Sequence, residues 1–174
     1  MISSILCGTS AHKVLCFLLE NPGQKLYDRE ISRLSGVKKS SANYSLRALV
    51  EAGMVHTENR GRMVFYYTSP DDILIRQLKR TKTLIELREL SERLKKISAE
   101  IILYGKAAEG TDTTRSGADL FVVSGNKREV VEIIGGSRLS GKINLFVSSP
   151  AEYNKLKKDQ PLLLRDIEKG ISLY

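Results

Sequence analysis

No stretch of the 174 residues approaches the ~20 consecutive apolar residues that a helix needs to cross a bilayer. The opening MISSILCGTS also lacks the charged start and long apolar centre of a signal peptide. A cytoplasmic chain with no membrane partner is therefore expected. Cysteine and histidine are scarce, two of each. Cys7 and Cys16 have no Cys or His at metal-ligand spacing, and a reducing compartment would keep them from forming a disulfide, so both are expected as small core residues. His12 and His56 stand alone in different predicted elements and are expected in structural or surface positions. No metal site and no cofactor is expected.

Acidic residues are the smaller charged class, 20 against 28 Lys and Arg, giving a formal net charge of +8. That excess favours polyanionic partners such as nucleic acid over acidic small substrates. Residues 1–70 hold 9 basic and 5 acidic residues, 71–98 hold 8 and 5, and 99–174 hold 11 and 10. The excess thus lies in the first part of the chain and its connecting segment, where a DNA-binding face is to be sought. With 41% hydrophobic residues the chain can bury one good core or two small ones.

From Ser10, SAHKVLCFLLENPG sets Ala11, Val14, Leu15 and Leu18 at helical spacing, and Asn21, Pro22 and Gly23 end the helix. LYDREISRLSGV reads as a short charged helix with Ile31 and Leu34 apolar and Gly36 as its stop. In KKSSANYSLRALVEAGMV, Ala42, Leu46, Leu49 and Val50 form an inward stripe, while Ser40, Asn43, Tyr44 and Arg47 fall on the opposite, acid-free face. Those outward groups are of the kinds that hydrogen-bond base edges and phosphates. After Gly53 come a strand at 54–58, a tight turn at 59–62 containing Gly61 between two arginines, and a strand at 63–68.

The order helix, helix, turn, helix, hairpin resembles the winged helix-turn-helix of the MarR and ArsR regulators, on the phrases REISRLSGV, SLRALVEAGMV and NRGRMVFYYTS. The resemblance covers residues 10–69. It implies double-stranded DNA as partner, with Lys39, Ser40, Asn43, Tyr44 and Arg47 entering the major groove and Arg60 and Arg62 meeting phosphate or the minor groove. Lys38 stands where such helices usually have a Ser or Thr cap, so a later start at Ser40 is expected.

Residues 71–98 contain neither Gly nor Pro and must be largely helical. Leu87, Leu90, Leu94 and Ile97 form one track, and Leu74, Leu78, Thr81 and Ile85 a shifted one, which predicts two helices or a bend near Lys82. The later stripe is too short for a convincing coiled coil, so it is expected to pack on the C-terminal domain, leaving homodimerisation to other surfaces. The expected domains are 1–70, a DNA-binding winged helix; 71–82, a helical linker; and 83–174, a small α/β domain, giving an α+β chain overall.

In 100–123 two apolar strands flank a polar, Gly-interrupted stretch. A helix at 128–134, a strand at 142–148, a helix at 150–158, a helical segment after Pro161, and ISLY as a short strand or docked tail complete the pattern. Residues 83–174 are similar to the small nucleotidyltransferases of DNA polymerase β-like fold, whose signature is a strand ending in Gly-Ser, an Ala-Arg-Gly phrase, and Ser-Asp-x-Asp-Leu on the next strand. The matching residues are Leu103, Tyr104 and Gly105; Ala108, Glu109 and Gly110; and Ser116, Gly117, Ala118, Asp119 and Leu120.

The family's reaction needs two carboxylates one residue apart on a strand and a third on a neighbouring strand, together holding two Mg²⁺. Gly117 and Asn144 stand at two of those positions, and only Asp119 is acidic. Lys106 replaces the serine after the first glycine, and Glu109 and Asp112 lie in the connecting loop with no spacing that would bring them to the metals. The resemblance therefore implies a domain without catalytic residues, used for sensing, partner binding or dimerisation. Gly105, Lys106 and Asp119 are a candidate nucleotide-binding remnant, although Asp119 is more simply a strand-end residue that caps a turn or pairs with Lys106 or Arg115. The alternatives are an active Mg-dependent nucleotidyltransferase acting on protein or RNA, and an antitoxin-like protein partnered by a toxin.

Overall fold

The computed structural model describes residues 8–114 and 116–174; Cys7 and Arg115 lie outside them. The chain divides into two compact units, with the boundary between Ile85 and Glu86.

In the first unit, α1 (Ser10–Glu20) opens on Thr9, whose hydroxyl accepts the His12 amide at 3.2 Å. A two-residue strand β1 (Leu26–Tyr27) leads into α2 (Asp28–Ser35), in place of a helix beginning at Leu26. Gly36, at φ 67°, ends α2 in the left-handed conformation and turns the chain toward α3 (Lys39–Glu51). Helix α3 begins at Lys39, not Ser40: Lys38 occupies the cap position with extended ψ, but its side chain caps nothing.

Strands β2 (His56–Arg60) and β3 (Met63–Tyr67) form the hairpin, closed by Gly61 and Arg62 alone because Arg60 pairs with Met63. The turn is tighter than 59–62, and the first strand is shifted by two residues. Gly61, at φ 61°, supplies the positive φ that such a two-residue turn requires. Strand β1 pairs with the other edge of β3, giving the order β1-β3-β2. Val14, Leu18, Ile31, Ala42, Leu46 and Leu49 form the core, as the helical spacing of their segments implies, with Leu26, Val37 and Val55 added from outside the helices. Each Val, Leu or Ile side chain among them contributes about 1.5–3 kcal/mol on full burial. Cys16 lies at the core's edge, half-buried rather than fully inside. His12 and His56 are exposed.

Residues Ile73–Leu94 form one helix, α4, in place of two. Its second track is buried at Leu87, Leu90 and Leu94 as expected, but in its first half the buried positions are Ile75 and Lys79, while Leu74 and Thr81 are exposed. Apolar residues at 73, 74, 75 and 78 surround that end of the helix, so spacing alone could not select its inward face. Lys82 reaches Glu20 of α1 at 2.7 Å. No described helix is long and apolar enough to cross a membrane.

The second unit is built on a four-stranded sheet of β4 (Glu100–Tyr104), β5 (Ala118–Val123), β6 (Ile143–Ser148) and β7 (Ile171–Ser172), in the order β6-β5-β4-β7. A five-residue helix, α5 (Gly105–Glu109), lies between β4 and β5 where the polar, Gly-interrupted stretch predicts loop, and those strands run antiparallel. Strands β5 and β6 are parallel, so a crossover is obligatory; α6 (Lys127–Gly135) and a 3-10 turn at Ser140–Lys142 supply it. Helices α7 (Pro150–Asp159) and α8 (Pro161–Glu168) follow, and ISLY returns as β7 on the free edge of β4.

Ile102, Phe121, Val123 and Ile167 make a core on one sheet face, with Tyr153 and Leu156 of α7 packed against it. Ile101, Leu103, Leu120 and Val122, which alternation points to the other face, are equally buried. The central strands are covered on both sides, which is why they read as continuous apolar runs.

Candidate functional site

The residues that the sequence singles out fall into two groups, one in each unit. On α3 the inward stripe is buried at Ala42, Leu46 and Leu49, which fixes the helix's rotation and turns the opposite face outward. Lys39, Ser40 and Arg47 are exposed, and Tyr44 is 79% exposed, the highest value among the large apolar side chains described. Asn43 is only half-buried, and its Oδ1 is covered with no hydrogen-bond partner. Asn43 therefore does not offer its acceptor outward.

The hairpin places its two arginines differently. Arg62 sits exposed in the turn. Arg60 is held within the sheet, its Nε donating to Glu58 Oε1 at 2.6 Å while its guanidinium lies 5.3 Å from the Phe65 ring centre. Glu58 also accepts from Lys25, the residue before β1, and these two cations keep its carboxyl below the ordinary range, Lys25 most strongly. Lys25 is the residue that sequence reasoning misses, because β1, which carries it to the sheet, is too short to leave a pattern of its own.

In the second unit, strand register brings Tyr104, Asp119 and Asn144 into one cross-strand row. Asn144 Nδ2 donates to Asp119 Oδ1 at 2.9 Å and to the Ser116 carbonyl at 3.0 Å. Both partners are acceptors, which fixes the orientation of the amide. Asp119 therefore takes its hydrogen bond from Asn144 rather than an ion pair from Lys106, which is exposed on α5; the alternative partner, Arg115, lies outside the described residues.

The two glycines complete the arrangement. A Cβ on Gly105, at φ 64°, would stand 2.6 Å from Asp119 Oδ2, so the carboxylate lies directly against the glycine backbone. Gly117, at φ 69°, leaves room for the Asn144 amide: a Cβ there would be 3.1 Å from Nδ2 and 3.2 Å from the Lys142 carbonyl. The Tyr104 hydroxyl titrates above its usual range, first through burial and then through the Asp119 charge. Tyr104 and Gly105 line a cleft with Glu109, Asp166 and Lys169.

This donor set does not fit a pair of Mg²⁺ ions. It holds one carboxylate, and one oxygen of that carboxylate already receives an N–H from the neighbouring strand. Among the described residues no three His, Cys, Asp or Glu side chains stand together where they could hold a metal ion.

The first unit's architecture is that of a winged helix-turn-helix. Residues 12–71, about a third of the chain, match the family model described as the sugar-specific transcriptional regulator TrmB, and this segment is similar to the helix-turn-helix domain of such regulators. A crystal structure of a candidate nucleotidyltransferase from Sulfolobus solfataricus aligns over 46% of this chain and 78% of its own, at 19% identity and a TM-score of 0.33. No curated protein shows a significant match to the chain.

Proposed function

We propose that the chain is a sequence-specific DNA-binding transcriptional regulator of the cytoplasm, whose C-terminal unit, a nucleotidyltransferase-like frame lacking catalytic carboxylates, serves sensing, partner binding or dimerisation. The observation that supports it most is the outward face of α3: Lys39, Ser40, Tyr44 and Arg47 project from a helix anchored by three buried apolar residues, with no acid among them. In this reading the helix enters the major groove, Asn43 lies at its edge, and the hairpin with Arg60 and Arg62 flanks it as a wing. A homodimer matches the two-fold symmetry of an operator.

For the second unit, the Asp119–Asn144 hydrogen bond supports loss of phosphoryl-transfer chemistry. An amide hydrogen supplies locally what a cation would supply, and neither Gly117 nor Asn144 adds negative charge. Gly105, Lys106 and Asp119 remain the residues through which a nucleotide would be sensed.

The test is binding of a fluorescent duplex across a salt series. The expected result is affinity that falls steeply with salt, log K dropping by about 0.9 per phosphate contact per decade. In parallel, labelled nucleotide and Mg²⁺ are expected to give no transfer to protein or RNA; transfer abolished by Asp119→Ala would establish an enzyme instead.

Asn144→Asp gives a separate prediction for the row. It sets two carboxylates against each other across adjacent strands, which costs about 1–3 kcal/mol at neutral pH without a divalent ion. Thermal unfolding should show a lowered Tm that Mn²⁺ or Mg²⁺ restores in the variant and leaves unchanged in the parent. Equal Tm values for both proteins, with and without metal, would mean that the two positions do not face each other.

A further inference from the structure

The wing sheet has two faces. Leu26 and Tyr66, paired across β1 and β3, turn inward to the core. Tyr27, Glu58 and Phe65 sit opposite one another in register, one residue out of step with that pair, and so lie on the outer face. On that face two cations converge on one acid: Glu58 Oε2 accepts from Lys25 Nζ and Oε1 from Arg60 Nε. Each cation also lies over an aromatic ring, Lys25 5.4 Å from the centre of Tyr67 and Arg60 5.3 Å from that of Phe65. All three charged side chains remain partly open to solvent, at 37%, 56% and 32% for Lys25, Arg60 and Glu58.

We infer that Lys25 and Arg60 form a phosphate-binding site of the wing, which the Glu58 carboxylate fills in the free protein and a DNA backbone phosphate takes over on binding.

The inference rests on the DNA-binding reading above and adds to it a residue outside the recognition helix. Its argument is geometric. A carboxylate that gives one oxygen to each of two cations spans them as the two non-ester oxygens of a phosphodiester do. The rings hold both cations in place without using up their hydrogen-bonding groups: Lys25 keeps further ammonium hydrogens, and no described partner takes the terminal nitrogens of Arg60. An exposed ion pair of this kind is worth little to folding, so displacing it from Glu58 costs little. A backbone phosphate carries the same single negative charge as the carboxylate, and its neutralisation also releases counterions condensed on the DNA, which the carboxylate cannot do.

The test is the full chain's binding to a short duplex of mixed sequence, read as affinity and as the slope of log K against log salt, for the parent and for Lys25→Met, Lys25→Arg, Glu58→Gln and Arg47→Ala. Lys25→Met should lower the slope's magnitude by about 0.9 and weaken binding, while Lys25→Arg keeps the parent slope. Glu58→Gln, which removes the internal competitor, should tighten binding several-fold and steepen the slope.

An unchanged slope in Lys25→Met, or unchanged or weaker binding in Glu58→Gln, overturns the inference. If Arg47→Ala nonetheless weakens binding in that same series, the DNA-binding reading stands without it. If the parent chain binds no duplex at all, that reading fails, and this inference with it.

Discussion

A chain carrying Arg47→Ala is expected to bind its target duplex about 1–3 kcal/mol more weakly than the parent, a loss of roughly five- to more than a hundredfold. Arg47 is exposed on the side of α3 opposite Leu46 and Leu49, and no described residue pairs with it. Its guanidinium is therefore free to meet a base edge or a phosphate without breaking an internal bond. Fluorescence anisotropy on matched and scrambled duplexes separates the two roles. If Arg47 reads a base, its removal narrows the gap between the duplexes; if it grips a phosphate, both affinities fall together. Arg62→Ala should behave in the second way, because Arg62 occupies the hairpin turn rather than the helix. Unfolding by urea should be unchanged in both variants, since neither side chain is buried.

The largest loss of stability is expected from Phe121→Ala. Phe121 lies on the central strand β5, fully buried, with the Phe146 ring centre at 5.2 Å and that of Tyr153 at 5.5 Å. Truncation removes the transfer free energy of the ring and leaves a cavity between strand and helix, together about 3–5 kcal/mol. Against a total stability of roughly 5–15 kcal/mol for a typical domain, that is enough to unfold a marginal one. Urea unfolding of Phe121→Ala beside Phe121→Leu distinguishes cavity from chemistry: the leucine variant keeps most of the volume and should lose far less. A loss below about 1 kcal/mol for the alanine variant would place the ring outside the core.

Helical spacing and glycine punctuation make much of this chain legible from sequence, and both are local signals. The stripe of α1, the stop at Gly36, the split faces of α3 and the Gly61 turn can all be read from a few neighbouring residues. The apolar strands β4 and β5 are legible for the same reason, being covered on both faces. What escapes depends on distant partners. Strand β1 is two residues long and exists because β3 offers it a free edge. Helix α5 is shorter than any periodicity can reveal. The inward face of the first half of α4 is ambiguous because apolar residues surround it.

The functional positions divide in the same way. That Asn144 stands beside Asp119 is what the family resemblance implies, and strand register places it there. That its amide bonds the carboxylate requires the geometry of two strands. Glu58 holds Arg60, two residues away on the same strand, but its hold on Lys25 joins residues 33 apart in sequence and is invisible without the sheet.

Selection of bound duplexes from a random pool tests the central claim most directly. Recovery of a shared motif, with two half-sites about one helical turn apart if the protein acts as a symmetric dimer, is the predicted result. Recovery of no motif, with the Arg47→Ala chain retaining as much DNA as the parent, would contradict it.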